Sequence, residues 1–561
     1  MKSRWAQGIP LIVSTLGMGA LALLLVALRS ASAIPRDDDW SYLNVVFEWA
    51  EGGHLELNGW VHMFFVSQGA LGAVVSSLLG PSVWNLQVLV LLFGVVGLYA
   101  LYWLAGNLLS KELSVLVVVV AGLSPLWLRL SVSFMTDVPA WTLAAVSLAL
   151  GVVAYKRLSR RWLTLAAVLG LLAFGVREYA VLPVVGVLTW VLICGSPKHF
   201  KRWALALVVL VAAVGAAGFF WNKSLPGSIE TESASIQEAF QLFSSLAVTY
   251  ALLLVPYMCL GVVLAWPQRT HLIRLLRKYW FGASLGLIAG LGLAALSSLR
   301  LVGNVIHPYG SSWTSIGDGV RSLPLWGFRA VTLVAVMSLV VLMALAGMLV
   351  QRRVIARSWR VLDLAQPSSN LAGLYVFISA VVMAVYFFAI LVAGAPAFDR
   401  YLLLVVPLLG IVILWLATRS LKERITDWQT SVVALVLVVT GAFGIVITDG
   451  LNQVDGLRWE VASESVDSGI PAYKIDGGDA WFRFHQKDAP GVAQVGSLEN
   501  TIPGRTWWQT FFEDSTFCRM VAIESETDLQ AMYGPALSIK EERTLLGTPF
   551  RIMVFPGPDP C

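Results

Sequence analysis

Three consecutive carboxylates, Asp37, Asp38 and Asp39, stand a few residues beyond the first apolar run and are followed by Trp40, Ser41 and Tyr42. Further along come Asp137 in Thr136-Asp137-Val138-Pro139, the pair Arg177-Glu178, and Asp399-Arg400-Tyr401. Each group falls where one apolar run ends or the next begins. Carboxylates suit general-base work on a hydroxyl or amine, or ligation of a hard divalent cation. Arginines grip a phosphate bidentately. Together they suit transfer of a group from a phosphate-bearing lipid. Each also has a structural reading: Asp39, Ser41 or Asp137 as helix caps, Arg177-Glu178 as an interhelical ion pair, and Arg400 as an interfacial anchor.

The elements that must position these groups are membrane-crossing helices. Of the 561 residues 57% are hydrophobic and 13% charged, against roughly 25% charged in a soluble domain. Apolar runs fall at 9–29, 84–107, 112–130, 137–155, 162–176, 178–194, 201–221, 242–266, 280–299, 326–350, 371–393, 401–418 and 431–448, roughly thirteen crossings of a ~30 Å hydrocarbon core. Ala31-Ser32-Ala33 resembles a signal-peptidase site. The preceding run is longer than the ~7–15 residues of a signal h-region, so an uncleaved first helix is expected. Residues 36–80 are too polar at their start, and too broken by glycine, to be one span. They read as an external loop whose stretch from Trp60 to Leu79 lies along the interface. Gly282, Gly286 and Gly290 form a small-residue stripe for close helix packing.

With the N-terminus inside, alternate loops hold Lys156-Arg157 with Arg160-Arg161, Lys198 with Lys201-Arg202, Arg269 to Lys278, Arg352 to Arg360, and Arg419 to Arg424. The opposite loops carry most of the acids. Lys and Arg concentrate in cytoplasmic loops, so the acidic groups and the tail, 449–561, are expected outside. The tail reads as a small α/β or mostly β domain in which Arg519–Ile523 and Phe550–Phe555 are apolar runs. There Cys518 and Cys561 could pair, while Cys194 and Cys259 read as buried thiols. The fold expected is an all-α polytopic membrane domain, 1–448, with a small extracytoplasmic α/β domain, 449–561.

The formal charge of +5 resides in those basic loops and calls for no nucleic acid. The sequence has no Walker-type phosphate loop, Gly-x-Ser-x-Gly elbow or Cys/His zinc pattern. His54, His62 and His307 lack metal-ligand spacing. Trp507-Trp508 reads as core or interface before it reads as a sugar platform.

Asp38-Asp39-Trp40-Ser41-Tyr42, Glu51-Gly52-Gly53 and Leu57-Asn58-Gly59 resemble the first external loop of the GT-C superfamily. The resemblance is to the branch holding bacterial aminoarabinose transferase and the protein O-mannosyltransferases. Thr136-Asp137-Val138-Pro139, Arg177-Glu178-Tyr179, and Arg400-Tyr401 with Pro407 are similar to further family positions, over roughly residues 1–450. The resemblance implies an inverting glycosyltransferase that takes a sugar from a polyprenyl-phosphate donor and passes it to a lipid, glycan or protein hydroxyl or amine. It makes Asp38 the base and Asp39 the second acid, leaving Asp37 outside the pattern. Arg177 and Arg400, with Tyr401, would neutralise the departing phosphate. Asp137 and Glu178 would orient those groups, with Tyr42 supporting. A divalent cation, magnesium or manganese, is left open, its ligands then being Asp38, Asp137 and Glu178. Two features depart from the pattern: the second acid is Asp where many relatives have Glu, and Trp60-Val61-His62 stands where a Lys-Pro-Pro stretch is common.

The site is expected on the extracytoplasmic face of the cell membrane (the bacterial inner membrane), where the donor cannot be a cytoplasmic nucleotide sugar. Two other classes stay open: a transporter or flippase of a phosphate-bearing or glycosylated lipid, and a non-catalytic assembly subunit.

Overall fold

A computed structural model describes residues 33–561 apart from 59, 62, 195, 225–234, 298–300, 302–304, 307–324, 356–366, 394–397, 420–425, 490–507, 510, 511, 513 and 525–532. The first apolar run, His62, His307 and Trp507 lie outside the described residues. At each of the twelve later runs the chain is helical, and the protein is a multi-pass membrane protein. Seven of the described helices are long and apolar enough to span: Val83–Ala105, Asp137–Arg157, Lys198–Trp221, Ile236–Gln268, Arg329–Gln351, Leu371–Val392 and Asp427–Asp467. Trp280–Leu296, Glu178–Ile193 and Val405–Thr418 are shorter apolar segments.

Local chemistry sets these boundaries. Ser82 and Ser110 cap their helices by accepting from Asn85 and Leu113 N–H. Ser235 with Glu238 forms a capping box that starts Ile236–Ala265, meeting amides otherwise left without partners. The run 112–130 is divided into Lys111–Gly122 and Pro125–Leu130, Pro125 taking the first-turn position that proline favours. Ile236–Ala265, which runs on through Pro256, packs against Val405–Thr418, Leu325–Ile355 and Trp280–Leu296. The glycine stripe is packing: a Cβ on Gly282, Gly286 or Gly290 would collide with the backbone of Gly347, Met343 or Val340 on the facing helix.

Asp427–Asp467 is one helix of 41 residues, about 60 Å at ~1.5 Å per residue. The boundary expected at 448/449 therefore falls inside a rigid rod that crosses the membrane and enters the C-terminal domain. Apolar composition ends near Ile447, and the helix continues because its next turns pack on protein. There a four-stranded sheet runs β1 (Ile475–Asp476), β2 (Arg519–Ile523), β4 (Pro549–Pro556), β3 (Ser538–Arg543). β1 and β2 pair in parallel, and the other pairs are antiparallel. Alternation gives the sheet two apolar faces. Val521, Ile523, Ile552 and Val554 meet Val454, Leu457 and Val461 of the rod. Met520, Ala522, Met553 and Phe555 meet Phe482, Trp508 and Phe517, with Trp60 of the external loop packed against them. Trp508 is thus core, its indole donating to Asp476 at 3.1 Å. Cys518 and Cys561 form a disulfide, Cys194 is buried, and Cys259, expected buried, is exposed on its helix.

The external loop holds two helices, Asp39–Gly52 and Val66–Leu79. The first is buried along Asp39–Phe47, packed against Val66–Leu79 and the C-terminal helix Asp479–Gln486.

Candidate active site

Asp38 occupies the N-cap of Asp39–Gly52, and its side chain makes no capping bond. It turns away from the helix instead. One carboxylate oxygen lies 3.5 Å from Arg400 Nη2, and the other accepts from the Trp60 indole N–H at 3.3 Å. Its side chain is 26% exposed, while Asp39 and Asp137 are fully buried. Of the three acids expected to be catalytic, Asp38 is the one a substrate can reach.

Asp39 is occupied structurally. Its oxygens accept the backbone N–H groups of Arg36 and Phe134, pinning the loop before the helix to residue 134. Burial pushes its carboxyl up to about 8, the two amide bonds offsetting this only in part. Asp37, outside the family pattern, pairs with Arg129 at 3.3 Å, which also holds Asp455 at 2.6 Å and Asn452 at 2.8 Å. This buried arginine ties the acidic loop to the C-terminal rod. Its signal in the sequence was a lone charge inside an apolar run.

Asp137 sits between two guanidinium groups, with Arg177 Nη2 at 3.4 Å and Arg400 Nε at 3.9 Å. Thr136, at the N-cap of Asp137–Arg157, makes no cap bond and accepts from Arg177 Nε instead. Arg177 Nη1 donates to the Tyr401 hydroxyl at 3.2 Å, and its guanidinium lies 5.3 Å from the Tyr401 ring centroid. Arg400 stacks on Phe398 at 4.5 Å, and its turn is held by Asp399, which accepts from Val305 and Ile306 N–H. Burial opposes both arginine charges, and Asp137 nonetheless raises both above the ordinary value. Arg400 Nε is buried and, among the described residues, makes no hydrogen bond.

Two expected residues stand at the margin. Glu178 accepts the Phe64 N–H at 3.2 Å, fixing the interfacial segment. Tyr42 is buried against Phe65 at 4.9 Å and donates towards Met63 Sδ at 3.4 Å; burial raises its hydroxyl well above the ordinary tyrosine value. Asp38 and Asp137 face arginines, whose charge opposes a cation, and Glu178 faces a backbone amide. Among the described residues no three His, Cys, Asp or Glu side chains gather as ligands. Sequence reasoning gave no role to Arg36, Arg129, Tyr179 or Arg483. Tyr179 touches Asp137 at 3.5 Å.

Asp38 and Asp137 stand at the starts of α-helices, where free N–H groups and the helix dipole favour an anion, and Arg177 and Arg400 stand at short 3-10 turns. Nearby lies a cavity of about 450 Å³, lined by Pro125, Trp127, Trp141, Pro256, Val406 and Pro407 among others.

Residues 69–221 match the family described as dolichyl-phosphate-mannose-protein mannosyltransferase. No curated protein matches the chain. Among solved structures, ArnT from Cupriavidus metallidurans in the apo state is 15% identical with a TM-score of 0.39, covering 97% of each chain. The same protein bound to undecaprenyl phosphate is 16% identical, TM-score 0.38, covering 99% of this chain and 98% of that one. The Archaeoglobus fulgidus oligosaccharyltransferase in the apo form is 14% identical, TM-score 0.46, covering 95% of this chain and 71% of that one. The mannosyltransferase family match spans Thr136, Asp137, Arg177 and Glu178.

Proposed function

We propose that this protein is a membrane glycosyltransferase that moves a sugar from a polyprenyl-phosphate donor to an acceptor hydroxyl or amine on the extracytoplasmic face. The observation that carries this reading is the meeting of one reachable carboxylate, Asp38, with the fixed guanidinium of Arg400 at 3.5 Å. Arg400 in turn shares Asp137 with Arg177. The basic loops and the Cys518–Cys561 disulfide support the sidedness, since disulfides persist in oxidising compartments.

Asp38 takes the proton of the acceptor O–H or N–H. The freed lone pair attacks the anomeric carbon from the face opposite the phosphate. The anomeric carbon–oxygen bond breaks, and the polyprenyl phosphate leaves with that electron pair. Arg177, Arg400 and the Tyr401 hydroxyl stabilise the new negative charge. Among the described residues Arg400 Nε makes no hydrogen bond and has only Asp137 nearby at 3.9 Å, which leaves it a donor for phosphate. The apolar cavity suits the donor's hydrocarbon chain: Trp141 lies one turn beyond Asp137, and Leu403 three residues beyond Arg400.

The test supplies purified protein in liposomes with radiolabelled polyprenyl-phosphate sugars and an envelope acceptor fraction. Label passing to the acceptor supports the reading. Transfer from nucleotide sugars alone, or movement of intact labelled lipid across the bilayer, contradicts it.

A further inference from the structure

The C-terminal domain reaches the carboxylate on which the proposed chemistry depends. The Trp60 indole N–H donates to Asp38 Oδ1 at 3.3 Å. The same ring packs into the second apolar face of the C-terminal sheet, beside Phe482, Trp508 and Phe517. Over it lies the guanidinium of Arg483, 4.0 Å from the Trp60 centroid and 5.3 Å from that of Trp40. Trp40 and Trp60 are themselves 6.2 Å apart. The Arg483 side chain is wholly buried and pairs with Asp479 at 2.7 Å, both on the helix Asp479–Gln486. That helix also touches Asp39–Gly52 directly, Asn44 donating to the Phe484 carbonyl at 3.5 Å.

A carboxylate at an N-cap ordinarily turns to its own helix, and Asp38 does not. Its outward rotamer has two polar partners among the described residues, Arg400 and Trp60. Arg400 is also a phosphate ligand in the proposed reaction, so it cannot hold Asp38 unchanged through catalysis. Trp60 stands on the opposite side, and an indole N–H does not titrate. We propose, building on the transferase reading above, that Trp60 is a positioning residue for Asp38. By the same proposal Arg483 fixes Trp60, so the C-terminal domain completes the transfer site. Guanidinium over an indole is the most favourable cation–π pairing, strengthened by desolvation, and here it joins a residue of the external loop to one of the C-terminal domain.

The experiment compares full-length Trp60→Phe, Arg483→Lys, the double variant and Asp38→Asn in the liposome transfer assay, each first shown to be folded by its melting profile. Trp60→Phe keeps an apolar ring and removes the N–H. It lowers kcat about ten-fold, the scale of one hydrogen bond to a charged group. Donor KM is unchanged, because phosphate contacts lie on Arg177 and Arg400. Arg483→Lys loses the planar stack and lowers kcat in the same way, and in the double variant the two losses do not add. Wild-type kcat in Trp60→Phe, or additive losses, overturns the proposal. Should Trp60→Phe fail to fold, kcat and KM of Arg483→Lys decide alone. Full transfer by Asp38→Asn would instead remove the underlying reading, whatever the other variants do.

Discussion

Arg400→Ala is the substitution for which the structure gives the clearest magnitude. The guanidinium is buried, lies 3.5 Å from Asp38 and 3.9 Å from Asp137, and stacks on Phe398. Removing one member of a buried ion pair costs about 3–5 kcal/mol because its partner stays desolvated. Both separations are long and Asp38 is partly hydrated, so the low end applies, about 3 kcal/mol. If that interaction serves the departing phosphate, kcat/KM for the donor falls about a hundred-fold. Arg400→Lys keeps the charge, loses the fork and falls between. The assay is a donor titration on folded protein in liposomes, with the acceptor saturating. Unchanged donor kinetics in Arg400→Ala refutes the assignment of Arg400 to the phosphate. A loss confined to acceptor KM refutes it equally.

Three further outcomes follow from neighbouring contacts. Asp39→Ala leaves the buried amides of Arg36 and Phe134 unpaired and lowers stability by about 2–4 kcal/mol, visible in the melting temperature; an unaltered melt shows that Asp39 does not pin the loop. Arg129→Met releases Asp37 and Asp455, each about a third exposed, and costs about 2 kcal/mol, whereas Asp37→Asn alone costs less than about 1 kcal/mol; equal melts for the two would refute the clamp. His485 is held by burial down to about 4 among Trp481, Trp459 and Phe484. Its folded value lies below the ordinary 6.5, so its contribution is full above pH ~6.5 and is lost as pH falls through about 4. After discounting for partial exposure this is about 2 kcal/mol. His485→Gln flattens the melting temperature between pH 7 and 4.5 relative to wild type, and parallel profiles contradict this. Asp479, raised by burial to about 6, works in the opposite sense and is common to both proteins.

The membrane helices were legible because a crossing leaves an unambiguous signature, a long apolar run between polar ends. So was the convergence of Asp38, Asp137, Arg177 and Arg400, because charge at such boundaries is costly to keep without use. What each acid does was not legible. Asp38 and Asp39 are adjacent and chemically identical, and only the backbone path turns one towards Arg400 and the other towards two amides. Arg129 and Arg483 escaped for a different reason. Their partners, Asp455 and the Trp40–Trp60 pair, lie hundreds of residues away, and no local periodicity encodes that separation. The continuity of the helix through 448/449 was not legible because hydropathy records where lipid contact ends, not where a helix does; Asp427–Asp467 runs on without changing its backbone. The partner of each carboxylate, an arginine or a backbone amide, was likewise hidden from a count of acids.

The central claim, that Asp38 is the base of a sugar transfer from a lipid phosphate, is tested most directly by one comparison. Wild type and Asp38→Asn, both folded in liposomes, receive the same labelled polyprenyl-phosphate sugar and acceptor fraction, and transferred label is measured over time. The account predicts transfer by wild type and a loss of at least about a hundred-fold in Asp38→Asn, with donor binding retained through Arg177 and Arg400. Equal transfer by the two proteins contradicts it.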